Sequence, residues 1–340
     1  MKAKPTISTI ARQAGVSVST VSQVLRGRGR ISPSTRDAVL RVVEETGYVQ
    51  NRRASAMRSG SSRDVGLLIN NIANPFNAEV LVGANAYLQQ HDYLVFVLDA
   101  LDDADLQKRY LYALLSGDPS GLLWVPAFET PEQDFQWATQ RVSTIISFLR
   151  PIDHQRFDHV GFDFAEGIRL ATSHLAELGH KRIAFMGGSA NTPTRVQHIA
   201  GYMAALHVNE LGNPIIWPAT DTKQGGFSGA DDLLDTHPDV TGIVCSSDTI
   251  AMGACMALGR REMTAGREVS VVGHDDVEDA KLWTPALTTI AVDPSGLGEQ
   301  LAQAFLERIA SPDAAVKSVN LPVQLVQRDT SGPPVAEWGG

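Results

Sequence analysis

Cysteine is nearly absent: Cys245 and Cys255 are the only two in 340 residues. One sits in an apolar run and the other in a helical pattern. Free buried thiols are expected rather than a disulfide, in keeping with a reducing cytoplasm. Uninterrupted apolar runs of about 18 residues are missing, so no transmembrane helix and no membrane partner are expected. The opening MKAKPTISTIARQAG carries two lysines but neither an apolar core nor a small-residue cleavage site, and so does not read as a secretory signal. Catalytic signatures are missing too: there is no G-x-x-x-x-G-K-[ST] phosphate loop, no G-x-S-x-G elbow and no Cys/His metal spacing. Gly187-Gly188 is a lone glycine pair that points to nothing. An enzyme is therefore not expected, nor a metal, nor a cofactor. What remains, at 43% hydrophobic and 20% charged residues, is an ordinary globular composition able to bury a core.

Positive charge is scarce everywhere except at one end. Residues 1–63 hold twelve Lys and Arg against the acids Asp37, Glu44 and Glu45, a charge of +9; the rest of the chain carries −18. A basic head on an acidic body is the footprint of nucleic-acid binding confined to one segment.

The head has helical periodicity. Thr6 begins a helix whose Ile7, Ile10, Ala11 and Ala14 share one face, with Thr9 a weak stand-in for the Glu or Gln of a capping box. Gly15 supplies the positive φ of a tight turn. Ser17 caps a second helix that turns Val21, Val24 and Leu25 inward and stops at Gly27. Ser32-Pro33 opens a third helix, lined by Val39, Leu40, Val42 and Val43 and ended by Gly47. Helix, glycine turn and capped helix make a helix-turn-helix, whose second helix enters the major groove by its N-terminal residues. Val18, Ser19, Ser22 and Gln23 lie on its exposed face. Gln23 suits the adenine N6/N7 pair and Val18 a thymine methyl. Thr6 and Ser17 belong to the same candidate DNA-binding set.

Beyond the polar Gly60–Arg63 linker, strand-length apolar runs alternate with helical patterns. Val65–Ile69, Leu94–Leu98, Leu122–Val125 and Thr144–Phe148 are separated by Ala78–Gln90, Asp105–Leu115 and Glu132–Gln140. A second set has strands Arg182–Met186, Thr241–Cys245 and Val269–Val272, with helices near Ile168–Leu178, Thr194–Val208, Phe227–Asp235 and Thr249–Arg260. This is βαβ repetition, hence two parallel sheets and two lobes. Helix Gly296–Ile309 and the segment Val316–Val326 suggest a return to the first lobe. Ligands of open α/β sheets bind beyond the carboxyl ends of the strands, here between the lobes. The residues just past strand ends are therefore the effector candidates: Asn74 and Phe76, Phe128, Asp163, Asp248 and Asp275. Carboxylates and amides would hold hydroxyls and a ring would pack on a sugar face. The Asp and Asn among them have a plainer alternative as the cap of the next helix, and Ser246 or Ser247 before Asp248 fits that job.

Residues 6–60 resemble the headpiece of the Lac/Gal repressor family, through GVSVSTVS, GRGRIS and NRRASAMRSG; the likeness runs more thinly to about residue 310. The resemblance implies that Val18, Ser19 and Gln23 read bases. It implies that Asn51–Arg58 form a hinge helix on DNA, with Asn51, Arg52, Ala54 and Arg58 at the duplex. Met57, where the family usually has leucine, would wedge into the operator's central step. Further matches are Asn74-Pro75-Phe76, the strand-to-helix stretch Val244–Ala251, and Val269–Asp276 followed by Thr284–Ile290; Asp275 falls on an effector-contacting aspartate. Two departures stand out: His198, near Thr194, replaces the family's arginine, and Gln224 replaces a frequent aromatic. The tail 332–340 lacks the leucine heptad of tetrameric members, which implies a homodimer.

The expectation is thus an α/β protein with an all-α headpiece (1–50), a hinge and linker (51–62), a two-lobed periplasmic-binding-protein-like effector and dimerisation domain (63–330) and a flexible tail (331–340). It would be a repressor binding palindromic operator DNA and sensing a small carbohydrate-like effector. The rivals are a transporter's solute-binding protein and a sugar-processing enzyme with an accessory DNA-binding head.

Overall fold

The computed structural model describes residues 5–25, 27, 29–49, 62–152, 156–188 and 192–335. It divides into two units, Met1–Ser62 and Arg63–Gly340. The hinge candidates Asn51, Arg52, Ala54, Met57 and Arg58 lie outside the described residues.

The described residues of the first unit form three helices, α1 (Ile7–Gln13), α2 (Val18–Leu25) and α3 (Pro33–Thr46). Thr6 and Thr9 form a complete capping box, because each threonine hydroxyl reaches the other's backbone N–H, at 3.2 and 3.3 Å. Gly15 takes φ +66° in the turn, where a Cβ would be strained. Ser17 Oγ accepts from Thr20 N at 3.1 Å, and Ser32 caps α3 with Pro33 in its first turn. Ile10, Ala11, Val21, Val24 and Val39 form the core, with Val42 and Val43 packed on it. Leu40, expected to line α3 inward, is instead exposed: it lies about 100° round the helix from Val39, off the buried stripe.

The second unit holds two six-stranded sheets. The first lobe is β1 (Asp64–Ile69), α4 (Pro75–Gln90), β2 (Leu94–Asp99), α5 (Ala104–Leu115), β3 (Gly121–Trp124), α6 (Glu132–Thr139), β4 (Ile145–Phe148) and β5 (Asp158–Phe162). The second lobe follows with α7 (Phe164–Glu177), β6 (Ile183–Met186), α8 (Pro193–Val208), β7 (Ile215–Trp217), α9 (Lys223–Thr236), β8 (Gly242–Cys245), α10 (Asp248–Arg260), β9 (Ser270–Asp275), α11 (Glu278–Leu282) and β10 (Thr288–Ala291). Helix α12 (Pro294–Ala310) and β11 (Ser318–Leu321) then rejoin the first sheet, and β12 (Gln324–Val326) the second. The strand orders are β11-β5-β4-β3-β1-β2 and β12-β10-β9-β8-β6-β7. Among the described residues every strand pairing is parallel except β12 on β10.

The late segment expected to return to the first lobe does so only in part. Its apolar run is split at residues 322–323, and β12 crosses back to pair with Thr289–Ala291. The chain therefore passes between the lobes three times, at residue 163, at 292–293 and at 322–323. Both thiols are free, Cys245 buried and Cys255 half-buried. Among the described residues no helix is long and apolar enough to cross a membrane, and no group of His, Cys, Asp and Glu could hold a metal ion.

Candidate functional site

On α2, Ser17, Val18, Ser19 and Gln23 are exposed and Ser22 half-buried, while Val21 and Val24 are turned into the core. Val18 leaves 43% of its surface to solvent, whereas Val21 and Val24 on the same helix are buried. Thr6 is likewise exposed at the start of α1. The hydroxyls of Ser17 and Ser19, the amide of Gln23 and the methyls of Val18 are thus exposed to solvent at and after the start of α2.

In the second unit a cleft of about 440 Å³ opens between the lobes. Of the expected effector residues, Asn74, Phe76, Thr194, His198 and Asp275 line it. Asn74 caps α4, accepting from Phe76 N at 3.0 Å, and points its amide nitrogen across the cleft to Asp221 at 2.8 Å. His198 sits in the second turn of α8, fully buried between Phe164 and Phe185, and its Nε2 has no hydrogen-bond partner. Burial, followed by the neighbouring His274, lowers its pKa to about 3, so the imidazole is neutral at any physiological pH. The buried Asn77 Oδ1, also on the cleft, is likewise unpartnered. Buried polar atoms without partners are costly, and here they face a cavity where a ligand could supply them.

Asp275 ends β9 with φ +124°, and Asp276 follows at φ +57°, two consecutive strained residues that turn the carboxyl into the cleft. Its Oδ1 lies 3.1 Å from His274 Nδ1. Burial raises its pKa well above the usual carboxylate range, and the charges of Asp221 and Glu79 add to the shift.

Four expected residues do not line the cleft. Phe128 lies beyond β3, its backbone N–H bound to Asp102 Oδ1 at 2.9 Å. Asp163 is an exposed cap that accepts from Glu166 N at 2.9 Å. Gln224 lines a separate outer depression of the second lobe beside Trp217 and reaches Ser228 at 3.1 Å. Asp248 is wholly buried and is spent on Val277 N and the Thr289 hydroxyl. A local cap thus claims Asp163, and buried structural bonds claim Asp248. Ser247, one of the two serines considered before Asp248, caps α10.

Sequence reasoning missed Asp102, Arg150, Thr192, Arg195 and Asp221, all on the cleft. Arg150 pairs with both carboxylate oxygens of Asp102 and donates to the Pro126 carbonyl at 3.1 Å. The signal that could have found Asp221 is its place after β7, but a three-residue strand is too short to show in the pattern.

Asp248 gives a prediction of its own. Burial, then Asp275, pushes its carboxyl well above the reference 3.8. Between that value and the raised one, the folded state holds a proton that the unfolded chain has lost. Stability from this group is complete below the unfolded pKa and falls as pH rises toward the folded one, by up to about 1.4 kcal/mol per pH unit. Asp248→Asn keeps an oxygen for Val277 N and offers an amide to the Thr289 hydroxyl. Its melting temperature should equal the wild type's near pH 4 and increasingly exceed it toward pH 8. Melting curves that stay parallel across that range would contradict the assignment.

An exposed-faced helix-turn-helix preceding a two-lobed parallel α/β domain with a polar cleft defines a ligand-sensing DNA-binding regulator. Residues 6–51 match the family of bacterial regulatory proteins, lacI family. Residues 62–329 match periplasmic binding proteins and sugar binding domain of LacI family. The chain belongs to the LacI family: it is a DNA-binding transcriptional regulator, and neither an enzyme nor a transporter's solute-binding protein. It is similar to the maltose regulon regulatory protein MalI of Escherichia coli K12, 31% identical over 95% of this chain and 98% of that one. Among solved structures it resembles the lac repressor dimer bound to operator and the anti-inducer ONPF, with a TM-score of 0.81 at 26% identity, covering 97% of this chain and 100% of that one. It also resembles a LacI family regulator from Enterococcus faecium with bound ribose, with a TM-score of 0.73 at 26% identity over 79% of this chain and 99% of that one.

Proposed function

We propose that the chain is a homodimeric repressor of a palindromic operator, controlled by a small carbohydrate-like effector bound between the lobes of its 63–330 domain. The observation that carries this reading is the interlobe cleft with buried, unpartnered His198 Nε2 and Asn77 Oδ1 on its wall. Asn74, Phe76, Thr194, His198 and Asp275 are the assigned effector contacts; Phe76 and Phe164 supply apolar faces. On the operator, Gln23 and Val18 read bases, and Thr6, Ser17, Ser19 and Ser22 hold backbone or base edges. Asn51, Arg52, Ala54, Met57 and Arg58 are assigned to the minor groove. The protomers meet in part through the exposed apolar edge strand β2, where Leu94, Phe96 and Val97 face solvent. Support comes from the related proteins: one regulates a maltose regulon, one is a dimer on its operator, and one holds ribose.

Selection from random duplex DNA tests this. The full chain should enrich a palindrome, and Gln23→Ala should relax one base pair per half-site at a cost of about 1–3 kcal/mol. Maltose or ribose should then change operator affinity, and operator should change sugar affinity by the same factor. Enrichment of no symmetric site would sink the proposal.

A further inference from the structure

Asp275 and Asp276 both have positive φ, +124° and +57°, and two such residues in succession persist only where their surroundings hold them. On one side the pairing of Asp275 with Ala291 fixes the backbone. On the other, Val277 N donates to Asp248 Oδ2 at 3.0 Å. Between these anchors stands Asp276. Its Oδ1 is 2.6 Å from Nη2 of Arg328, in an ion pair whose side chains are only 13% and 15% exposed. Among the described residues the other cation in contact with Asp276 is Lys281, at 3.9 Å. That lysine is largely exposed, where an ion pair contributes little. Neither Asp276 nor Arg328 lines the cleft.

Arg328 belongs to the segment that follows β12, and its backbone is tied down. Arg328 N donates to Thr288 Oγ1 at 2.9 Å, and Asp329 N to Ala286 O at 2.9 Å. Thr330, wholly buried, donates its hydroxyl to Val271 O at 2.7 Å and accepts from Thr288 N at 2.8 Å. The segment is thus laced to β9 and to the start of β10. From there Arg328 gives Nη1 to Leu287 O at 2.8 Å and sets Nη2 beside Asp276. The rigid fork of a guanidinium serves both partners at once. Asp276 also lies close enough to Asp248 to raise that group's pKa, so its charge sits among other carboxyl groups. A largely buried carboxylate that loses its cation is costly. Without Arg328, the side chain of Asp276 is driven toward solvent, and the turn that aims Asp275 moves with it.

We propose that Arg328 is a positioning residue of the effector site: from outside the cleft it holds the Asp275–Asp276 turn, and so the carboxyl of Asp275, in the place where an effector meets it. This rests on the reading of the cleft as a sugar site, and it adds a residue that touches no ligand. The segment from Arg328 to Thr330, which holds none of the strand-end candidates, thereby becomes part of the sensing machinery.

The test titrates the full chain calorimetrically with maltose and with D-ribose, alongside a melting curve for each variant. Arg328→Met should weaken the sugar that the wild type takes by about tenfold. Arg328→Lys, which returns the charge, should bind more tightly than Arg328→Met. Should Arg328→Met fail to fold, Asp276→Asn breaks the same ion pair from its other side and should show the same loss. Because Arg328 acts through Asp275, either variant should add nothing to the loss in Asp275→Ala, whereas a residue that only supports the fold would add its loss in full. Unchanged affinity in Arg328→Met or its substitute, or additive losses, overturns the proposal. If the wild type takes neither sugar, the sugar reading fails, and the positioning is judged on crystal structures of the free wild type and the variant. A displaced Asp275 carboxyl then upholds it, and a carboxyl unmoved, with both positive φ values kept, refutes it.

Discussion

A chain that begins at residue 62 is expected to lose operator binding altogether while still melting cooperatively and still answering the effector. The two units have separate cores: Ile10, Ala11, Val21, Val24 and Val39 make one, and the strands and helices of the two sheets make the other. Removing the first leaves the second its hydrogen bonds and its cleft. The charge balance makes the loss complete rather than partial. Residues 1–63 carry +9 and the remainder −18, so the shortened chain is repelled by the phosphate backbone instead of merely lacking base contacts. The intact protein should show a steep fall of log K with log salt, with a slope of about −0.9 for each phosphate neutralised. Gel-shift titration at several salt concentrations measures both. Residual shifting of operator by the shortened chain would place DNA contacts in the two-lobed domain and refute the division of labour.

The second large effect is expected at Asp275. Burial, with the nearby charges of Asp221 and Glu79, raises its pKa and so favours the neutral acid, which can both donate to a ligand and accept from it. Asp275→Ala deletes that pair of bonds inside a buried wall, and effector affinity should fall by about 1–3 kcal/mol, roughly 5- to 150-fold. Operator binding should persist, so for an inducing effector the variant acts as a super-repressor. Asp275→Asn, which copies the shape and polarity of the neutral acid, should bind within a few-fold of wild type. Asp275→Gly separates structure from recognition. At φ +124° glycine relieves strain that alanine keeps, by about 1 kcal/mol, so it should melt above Asp275→Ala and yet be as deaf to effector. If Asp275→Ala binds effector normally and only melts lower, the carboxyl serves the turn alone.

The fold was open to reading from the sequence in unequal parts. The headpiece was legible because its signals are local. Thr6, Ser17 and Ser32 cap, Gly15 and Gly47 turn, and the inward residues recur at helical spacing, all within one or two turns of one another. The strands of both sheets were legible because parallel strands covered on two faces are continuous apolar runs. Short or exposed strands were not: β7 has three residues, and β11 keeps most of its side chains in solvent, so neither carries such a run.

Residue types alone therefore determined that this protein has a helix-turn-helix head, two parallel α/β lobes and candidate ligand groups at the strand ends. They did not determine which strand-end groups face the ligand. Asp163, Asp248 and Asp275 look alike in sequence, as polar residues after a strand. Only the tertiary structure commits the first to a helix cap, the second to a buried bond with Thr289, and the third to the cleft. The same holds for Asp221, whose partner Asn74 lies 147 residues away on the other lobe. A cap is satisfied within its own turn and can be read from neighbours. A cleft contact is settled by three chain crossings that bring two sheets face to face, and no local pattern records where those crossings leave a carboxylate pointing.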